Sequence, residues 1–290
     1  MINKCKLCFS QHTKIIRKYN NYYLIRCKRC GVVFIYPQPR RIRIAQNNLS
    51  LYDSKQSEKA YFYKREELIR RAKENIKILK KYEKIGKLLD IGCSYGFYSK
   101  VFKDYHYDVT GIDISERAIK YAKNYFKLNA IIGNFEKHKN RYNYYDVITM
   151  FDIIEHFHNP QQIIRKVHQL LKNKGIVIIQ TPNMDSLLEK LCRTKWFWLL
   201  VPQHLFLFNK PSLSRILTEN GFKILNTSSW DDLTEFIKNI LFVIGLKDKG
   251  KTKFVYYFLY ILMKPLSFLS YFWSIFGYGG EITIYAQKIK

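Results

Sequence analysis

The stretch LLDIGCSYGFYSK at residues 88–100 decides the fold of this 290-residue chain. It predicts an apolar β-strand that ends near Asp90, a turn that contains Gly92 and Gly96, and the start of a helix. In open α/β sheets, ligands bind beyond the carboxyl ends of the strands, and a strand that leads through glycines into a helix N-terminus is a common cofactor seat. The stretch therefore indicates a cofactor site at the edge of such a sheet.

Strand-like and helical segments alternate from residue 87 to about residue 229. The strand-like runs are KLLDIG, DVTGID, NAIIG, YDVITMF, GIVIIQT and FKILNTSS, and helical runs such as ERAIKYAKNYFK and PQQIIRKVHQLLKNK separate them. This alternation predicts an α/β fold with a parallel, Rossmann-like sheet between two layers of helices. The alternating pattern of EITIYAQKI near the end of the chain predicts an antiparallel last strand.

Changes in pattern divide the chain into five segments. They are a cysteine-rich segment at 1–40, a linker with N-terminal helices at 41–86, the α/β core at 87–229, an apolar helical insertion at 230–279 and the final core strand at 280–290. The helical stretch before the core has one apolar stripe, made of Leu68, Ala72, Ile76, Leu79 and Tyr82. We expect this stripe to pack against the core.

Composition and charge limit the environment of the protein. The 50 Lys and Arg residues exceed the 23 Asp and Glu residues and give a net charge of +27, which attracts phosphates, nucleic acid or anionic lipid without choosing among them. The start of the chain, MINKCKLCFS, has a cysteine pair where a signal peptide would have its apolar core. The sequence therefore predicts a cytoplasmic protein with reduced thiols.

Two aspartates suggest the kind of cofactor. Asp113 ends the second strand, where a carboxylate can accept hydrogen bonds from two ribose hydroxyls. The spacing is not the dinucleotide motif G-x-G-x-x-G, and the sequence contains no G-x-x-x-x-G-K-[ST] phosphate loop. A nucleoside that carries an amino acid fits better than a pyrophosphate, because Asp90 could lie near its ammonium group.

These residues resemble the class I S-adenosylmethionine-dependent methyltransferases, whose first motif reads roughly D-x-G-C-G-x-G. Five segments in order carry the resemblance: LLDIGCSYG, GIDIS, YDVITMFDIIEHFHNP, IVIIQTPN and PQHLFLFNKPSLSRILTENGF. The most similar branch contains the ubiquinone-type O-methyltransferases and many glycan or small-molecule methyltransferases. The resemblance implies S-adenosyl-L-methionine as cofactor. The cofactor-binding positions that it implies are Asp90, Gly92, Cys93, Ser94, Gly96, Asp113, Ile114, Asn134, Phe135 and Phe151.

Two positions depart from the pattern of the family. Ser94 replaces the middle glycine of the first motif, and Asn134 stands where relatives commonly place an aspartate for the adenine amino group. Neither change disables the site, because serine is tolerated in the turn and an asparagine carbonyl can still accept a hydrogen bond.

The candidate catalytic residues are Glu155 and His156, after the fourth core strand, and His204, in the loop after the fifth. In the ubiquinone-type branch a similar acidic-x-x-Glu-His run is linked to a divalent metal, and Asp152, Glu155 and His156 have this spacing. Three roles stay open for Glu155 and His156: a metal site, direct proton transfer, and hydrogen bonds that only shape the loop. For His204, a buried histidine bonded to the backbone is an equal alternative.

The cysteine-rich segment predicts a zinc site. Cys5, Cys8, Cys27 and Cys30 form C-x2-C-x18-C-x2-C, a spacing that presents four thiolates to one zinc ion. A segment of this size has too little core to fold alone, and structural zinc would supply the missing stability. The segment resembles the N-terminal zinc ribbon of many methyltransferases in this branch, whereas a redox C-x-x-C lacks its βαβ context here.

The insertion at 230–279 is rich in aromatic residues. Lys264 and Pro265 divide its most apolar part into two short pieces, so a full membrane span is not expected. Two alternatives remain: a helical lid over the acceptor site, and a helical hairpin that lies on an anionic membrane surface. The second would place the protein at the inner face of the membrane.

The sequence thus predicts O-methylation of a glycan, a lipid-linked saccharide or a related small molecule. One alternative is an RNA methyltransferase, suggested by the charge and the ribbon, but the fourth strand lacks the Asn-Pro-Pro-Tyr run typical of base methylation, and a nucleic-acid partner is not expected. The other alternative is a non-catalytic scaffold, which the presence of Asp90, Gly92, Gly96 and Asp113 argues against.

Overall fold

The computed structural model describes most of the chain. The described residues are 4–39, 55–82, 85–139, 141–231, 233–245, 252–266 and 272–289. Residues 41–54 and 83–84 of the predicted segment 41–86, and residues 232, 246–251 and 267–271 of the insertion, lie outside the described residues.

A seven-stranded sheet forms the centre of the molecule. Its strands in spatial order are β10 (Phe222–Trp230), β11 (Glu281–Lys288), β8 (Leu171–Pro182), β7 (Tyr145–Phe151), β4 (Lys87–Ile91), β5 (Asp108–Asp113) and β6 (Asn129–Ile132). The last strand, β11, runs antiparallel to both of its neighbours, while β4 to β8 are parallel. The predicted parallel sheet with an antiparallel last strand is confirmed.

Helices connect the strands. In chain order they are α1 (Lys55–Tyr63), α2 (Arg65–Lys80), α3 (Phe97–Asp104), α4 (Glu116–Phe126), α5 (Pro160–Leu170), α6 (Leu187–Cys192), α7 (Lys210–Glu219), α8 (Leu233–Val243) and α9 (Thr252–Met263), with short 3₁₀ helices at Ile154–His156, Arg193–Lys195 and Lys264–Leu266. Local sequence fixes several of their starts. Ser115, Asn159 and Asn209 each accept a hydrogen bond from a backbone N–H in the first turn that follows.

The helical stretch before the core is two helices rather than one, because α1 ends and α2 begins on either side of Lys64. The predicted stripe of α2 is buried at Leu68, Ala72, Ile76 and Leu79, as expected. On the same face, Arg71 pairs with the buried Glu281 of β11, so this helix is fixed to the sheet by charge as well as by apolar contact.

A second, four-stranded sheet joins the N-terminal segment to the core. Its strands, in order, are β1 (Thr13–Tyr19), β2 (Tyr22–Cys27), β3 (Val33–Tyr36) and β9 (Phe206–Leu207). Because β9 belongs to the core segment, the ribbon and the core share one sheet. They also share one buried apolar cluster, in which Val33 and Phe34 lie with Ile154 and Phe206. The segment boundaries stay predictions, but this pairing was not foreseen.

The insertion contains a helical hairpin. Ile237 and Leu241 of α8 pack against Leu259 and Met263 of α9. Among the residues that the structure describes, none of the helices is both long and apolar enough to cross a membrane.

Candidate functional site

The glycine turn after β4 has the close packing that requires glycine. Gly92 has φ +76°, and an added Cβ would lie 2.8 Å from Ile153 Cδ1. Gly96 has φ +81°, and an added Cβ would lie 2.6 Å from Leu128 Cδ1. Ser94 adopts φ +47°, a left-handed conformation that explains why glycine is common at this position.

Asp90 is buried at the end of β4 and accepts two short hydrogen bonds. Ser99 Oγ donates to Oδ2 at 2.6 Å, and Thr149 Oγ1 donates to Oδ1 at 2.7 Å. Burial raises the pKa of Asp90 to about 6, although both hydrogen bonds act in the opposite direction. Asp90 therefore fixes the strand, the first turn of α3 and β7 relative to one another.

Asp113, at the end of β5, holds the turn from the other side. Its Oδ2 accepts from the Ser94 N–H at 2.9 Å, and its Oδ1 accepts from the Ser115 N–H at 2.8 Å. A carboxylate oxygen can accept more than one hydrogen bond, so Asp113 keeps the capacity to receive hydroxyl donors. Its position at the carboxyl edge is the one expected for a ribose contact.

The remaining predicted cofactor positions have different surroundings. Cys93 is buried beneath β5, where its Sγ would lie 2.6 Å from a Cβ added to Gly111. Ile114 is exposed, and Asn134 Oδ1 accepts from the Glu136 N–H at 2.8 Å. Cys93 lies in the glycine turn, and its side chain packs against β5.

The two predicted aromatic positions are packed. Phe135 is buried, and the Lys166 ammonium lies 4.5 Å from the centre of its ring. Phe151 stacks on Tyr98 with ring centroids 4.2 Å apart. Phe151 is thus part of an aromatic wall at the carboxyl edge of β7.

Tyr61 is a residue of this site that the sequence analysis missed. Helix α1 places its ring 5.4 Å from that of Tyr95 and 5.8 Å from that of Phe97, so it covers the glycine turn. Burial raises the pKa of its hydroxyl well above the ordinary value, and the nearby carboxylates of Asp90 and Asp113 act in the same direction. The only sequence signal is an aromatic run in a helix, which is equally typical of a core contact.

Glu155, His156 and His204 meet at the carboxyl edge of the sheet, in one cluster. The two imidazole rings lie 4.8 Å apart, and His204 Nε2 is 3.9 Å from Glu155 Oε1. Thr181 Oγ1 donates to Glu155 Oε2 at 2.9 Å. Oε1 is buried, and no described donor lies within hydrogen-bonding distance of it.

The backbone sets the direction of both rings. His156 Nδ1 lies 3.0 Å from the Gln203 carbonyl oxygen, and His204 Nδ1 lies 3.0 Å from that of Trp198. Burial lowers the pKa of His156 to about 4 and that of His204 well below its ordinary value. Neutral imidazoles that donate from Nδ1 have their lone pairs on Nε2.

This donor set fits a divalent cation. The ligand atoms of Glu155, His156 and His204 all lie within 4.8 Å of one another. Carboxylate oxygen and imidazole nitrogen are common ligands of such ions, and an Nδ1–H bonded to a carbonyl is the usual support of a histidine ligand. Asp152, the acid of the predicted run, lies outside the cluster because its left-handed backbone directs Oδ2 to Gln180 Nε2, 3.2 Å away.

A protein-family model described as a methyltransferase domain matches residues 61–227, more than half of the chain. The chain belongs to this methyltransferase family. The match includes the glycine turn, both aspartates and the Glu155–His156–His204 cluster. The resemblance seen in the sequence is therefore confirmed, and the protein is a class I S-adenosylmethionine-dependent methyltransferase.

Similar curated proteins are named ubiquinone biosynthesis O-methyltransferases. The one from Pelagibacter ubique (strain HTCC1062) is 30% identical over 181 residues, which are 53% of this chain and 75% of that protein. The one from Rickettsia canadensis (strain McKiel) is 38% identical over 114 residues, which are 37% of this chain and 48% of that protein. The methyltransferase thus spans three quarters of the first relative and about half of the second.

Solved structures show the same fold. A SAM-dependent methyltransferase from Archaeoglobus fulgidus superposes with a TM-score of 0.54 at 18% identity, covering 79% of this chain and 99% of that chain. A protein from Pyrococcus horikoshii OT3 superposes with a TM-score of 0.51 at 19% identity, covering 76% of this chain and 90% of that chain. At these identities the likeness concerns the fold alone.

The four ribbon cysteines of the methyltransferase lie before the family match and form a second candidate site. Cys5 Sγ is 3.7 Å from Cys30 Sγ, and Cys8 Sγ is 3.5 Å from Cys27 Sγ. Four sulfur ligands at about 2.3 Å from a tetrahedral zinc would be about 3.8 Å apart. Backbone N–H groups also point at the sulfurs, as from Leu7 to Cys5 at 3.4 Å. The cluster therefore fits zinc.

Proposed function

We propose that this methyltransferase methylates a hydroxyl of a small-molecule acceptor, which is a glycan, a lipid-linked saccharide or a related compound. The observation that carries the proposal is the Glu155–His156–His204 cluster at the carboxyl edge of the sheet, whose ligand atoms all lie within 4.8 Å of one another. The O-methyltransferase names of the similar proteins support a hydroxyl acceptor.

The cofactor lies at the glycine turn in this proposal. Asp113 accepts the ribose hydroxyls, the backbone at Gly92 and Gly96 allows close approach, and Tyr61 covers the turn. Asp90, Cys93, Ser94, Ile114, Asn134, Phe135 and Phe151 complete the proposed set. When bound, S-adenosyl-L-methionine supplies an electrophilic methyl group on its sulfonium.

The histidine cluster handles the acceptor proton. A neutral Nε2 of His156 or His204 takes the hydroxyl proton while the new oxygen–carbon bond forms and the sulfur–carbon bond breaks, so that S-adenosylhomocysteine leaves. The carbonyl oxygens of Gln203 and Trp198 stabilise the protonated ring through Nδ1–H. A divalent metal at the same residues would acidify the hydroxyl instead.

A Glu155→Gln variant tests this function. We expect a loss of about 100-fold in kcat, because the variant lacks the carboxyl group that faces the two imidazoles, with S-adenosylhomocysteine affinity unchanged within about threefold. The measurement is transfer of a labelled methyl group to phenols, saccharides, lipid-linked saccharides and RNA. A mild chelator that abolishes transfer while elemental analysis shows that the ribbon keeps its zinc identifies metal assistance at the cluster, whereas insensitivity identifies direct proton transfer.

Glu74→Gln, which changes an exposed carboxylate of α2, is the matched control for this assay. Full transfer by Glu155→Gln would contradict the proposed role of the cluster. Methylation of RNA alone would contradict the small-molecule proposal and favour a nucleic-acid substrate.

Tyr61→Phe tests the proposed cover of the cofactor. Loss of the buried hydroxyl beside the glycine turn is expected to weaken S-adenosylhomocysteine binding by about 2- to 12-fold in calorimetry. Tyr63→Phe is the matched control, because Tyr63 is on the same helix with 63% of its surface exposed. Equal affinities for both variants would show that Tyr61 only packs against the turn.

We further propose that the insertion binds an anionic membrane surface, from which a lipid-linked acceptor would come. Its exposed apolar side chains, which we call the apolar patch, are Val243, Ile244, Phe258, Ile261, Leu262, Phe272, Ile275 and Phe276. Lysines lie near it: Lys195 Nζ donates to the Val243 carbonyl oxygen at 2.7 Å, and Lys190 lies 4.4 Å from the ring centre of Tyr278, two residues after Phe276. Apolar side chains beside lysines suit an anionic bilayer.

Sedimentation with vesicles tests the membrane proposal. The protein should bind phosphatidylglycerol-containing vesicles at low salt, and an Ile261→Asp/Phe276→Asp variant should bind at least about tenfold more weakly. Tyr125→Asp, which changes an exposed aromatic residue of α4, is the control. Equal binding by the double variant, or no binding by the parent protein, would overturn the proposal.

A further inference from the structure

Two hydrogen bonds tie the ribbon to the Glu155–His156–His204 cluster through one residue. The Ile35 N–H of β3 donates to the Leu205 carbonyl oxygen at 3.1 Å, and the Leu205 N–H donates to the Glu155 carbonyl oxygen at 2.9 Å. Leu205 directly follows His204. A displacement of β3 would therefore move the backbone on which His204 stands and the carbonyl group of Glu155.

The same loop also orients both imidazoles. The carbonyl oxygens that bind the two Nδ1 atoms belong to Gln203 and Trp198, which lie in residues 198–205, here called the histidine loop. The histidine loop leads directly into β9, which pairs with β3 at Val33↔Leu207 and Phe34↔Phe206. The geometry of the cluster thus depends on a loop whose far end is anchored in the ribbon.

The cysteine pairs set the position of β3. The Cys27 N–H donates to the Val32 carbonyl oxygen at 2.9 Å, and the Gly31 N–H donates to the Cys27 carbonyl oxygen at 3.0 Å. These contacts form the turn between β2 and β3, and Cys30 lies within it. A metal that holds Cys27 and Cys30 against Cys5 and Cys8 would fix where β3 begins.

Two further hydrogen bonds join the ribbon to core residues that lie before and after β9 in the sequence. Arg215 Nη1 donates to the Arg29 carbonyl oxygen at 2.7 Å, and His158 Nε2 lies 3.0 Å from the Pro39 carbonyl oxygen. Arg215 follows β9 in the chain, and His158 follows the 3₁₀ helix of the cluster. The ribbon therefore contacts the core segments before and after the histidine loop.

The cofactor side of the site is held by other contacts. Asp90 is bonded to Ser99 and Thr149, and Asp113 to the backbone of Ser94 and Ser115. These bonds join β4, β5, β7 and the helices after them. Cofactor affinity is therefore expected to be insensitive to the ribbon.

We infer that the zinc ribbon is a clamp that positions Glu155, His156 and His204 for methyl transfer through the β3–β9 pairing and the Leu205 peptide. The inference rests on the zinc site and the cluster function proposed above. Loss of zinc then releases the histidine loop, so kcat falls while the cofactor still binds. The ribbon residues act through the histidine loop and are positioning residues.

The accessibility of individual histidines to diethyl pyrocarbonate, read by peptide mass spectrometry, tests the clamp without an activity assay. His204 is only 2% exposed in the folded protein. The samples are the zinc-loaded protein, the chelator-stripped protein, the stripped protein after zinc is restored, and Cys27→Ser. Each is first treated with a mild chelator, so that a labile ion at the cluster cannot protect the rings. Elemental analysis gives the zinc content of each.

Two other histidines calibrate the measurement. His106 is exposed and should react equally in every sample, whereas His168 packs against Phe222 and reports opening of the core. Zinc removal is expected to raise the rate of His204 modification at least about tenfold. The rate of His168 modification and the S-adenosylhomocysteine affinity should stay within about threefold of their values in the zinc-loaded protein. Restored zinc should protect His204 again.

Three results would overturn the clamp. An unchanged rate of His204 modification in the zinc-free protein would show that the core alone holds the histidine loop. If zinc removal made His168 reactive and abolished cofactor binding at the same time as it made His204 reactive, the result would show general unfolding. Absence of zinc from the parent protein removes the zinc proposal itself, and the elemental analysis detects this before any histidine is measured.

Discussion

A Cys27→Ser variant should contain no zinc and should unfold about 10 °C below the parent protein. The proposed structural zinc would supply folding free energy, and removal of one ligand of four is expected to cost about 4 kcal/mol in a domain of this size. Cys27 is fully buried, so the variant also loses a packed side chain of the shared apolar cluster. Thermal unfolding followed by circular dichroism, with elemental analysis of each sample, makes the comparison.

Cys192→Ser is the matched control for Cys27→Ser. Cys192 is a partly buried free thiol outside the cluster, so its replacement should leave zinc content unchanged and the unfolding temperature within about 2 °C. A Cys27→Ser protein that retained zinc, or that unfolded at the same temperature as Cys192→Ser, would show that the four thiols do not form a structural metal site.

An Asp113→Ala variant should bind S-adenosylhomocysteine at least about 100-fold more weakly. The change removes the proposed acceptor of two ribose hydroxyls. It also leaves the Ser94 and Ser115 N–H groups without the carboxylate that orients the turn. Calorimetric titration, with NAD as a negative control ligand, measures the loss.

Asp108→Ala is the matched control, because Asp108 lies at the opposite, exposed end of the same strand. Its affinity should equal that of the parent protein. Undiminished binding by Asp113→Ala would remove Asp113 from the cofactor site. Failure of the folded parent protein to bind would instead favour the non-catalytic scaffold.

The sheet and the glycine turn could be predicted because their signals are local. A strand, its turn and the next helix are adjacent in the sequence, so LLDIGCSYGFYSK contains the whole unit. The two end-of-strand acids followed from the same logic, since carboxyl ends of parallel strands lie at one edge. The grouping of the four ribbon cysteines could likewise be predicted from their spacing.

Contacts between distant segments could not be predicted in this way. The two residues Phe206 and Leu207 carry no sequence signal that they form a strand rather than a loop of the core. In the structure they pair with β3 and so join the ribbon to the core. Tyr61 reaches the glycine turn only because α1 ends and α2 begins around Lys64, whereas the apolar pattern predicted a single helical stretch. The meeting of His156 and His204 likewise depends on the backbone path between Trp198 and Leu205.

The shared strand has a consequence for solubility. If the first 40 residues were removed, the backbone of Phe206 and Leu207 would lose its paired strand. The apolar core surface that packs against Val33, Phe34 and Ile35 would become exposed. An unpaired apolar edge recruits strands from other molecules. A shortened protein would therefore be prone to self-association even where its cofactor pocket is intact. The ribbon thus also protects the protein from aggregation.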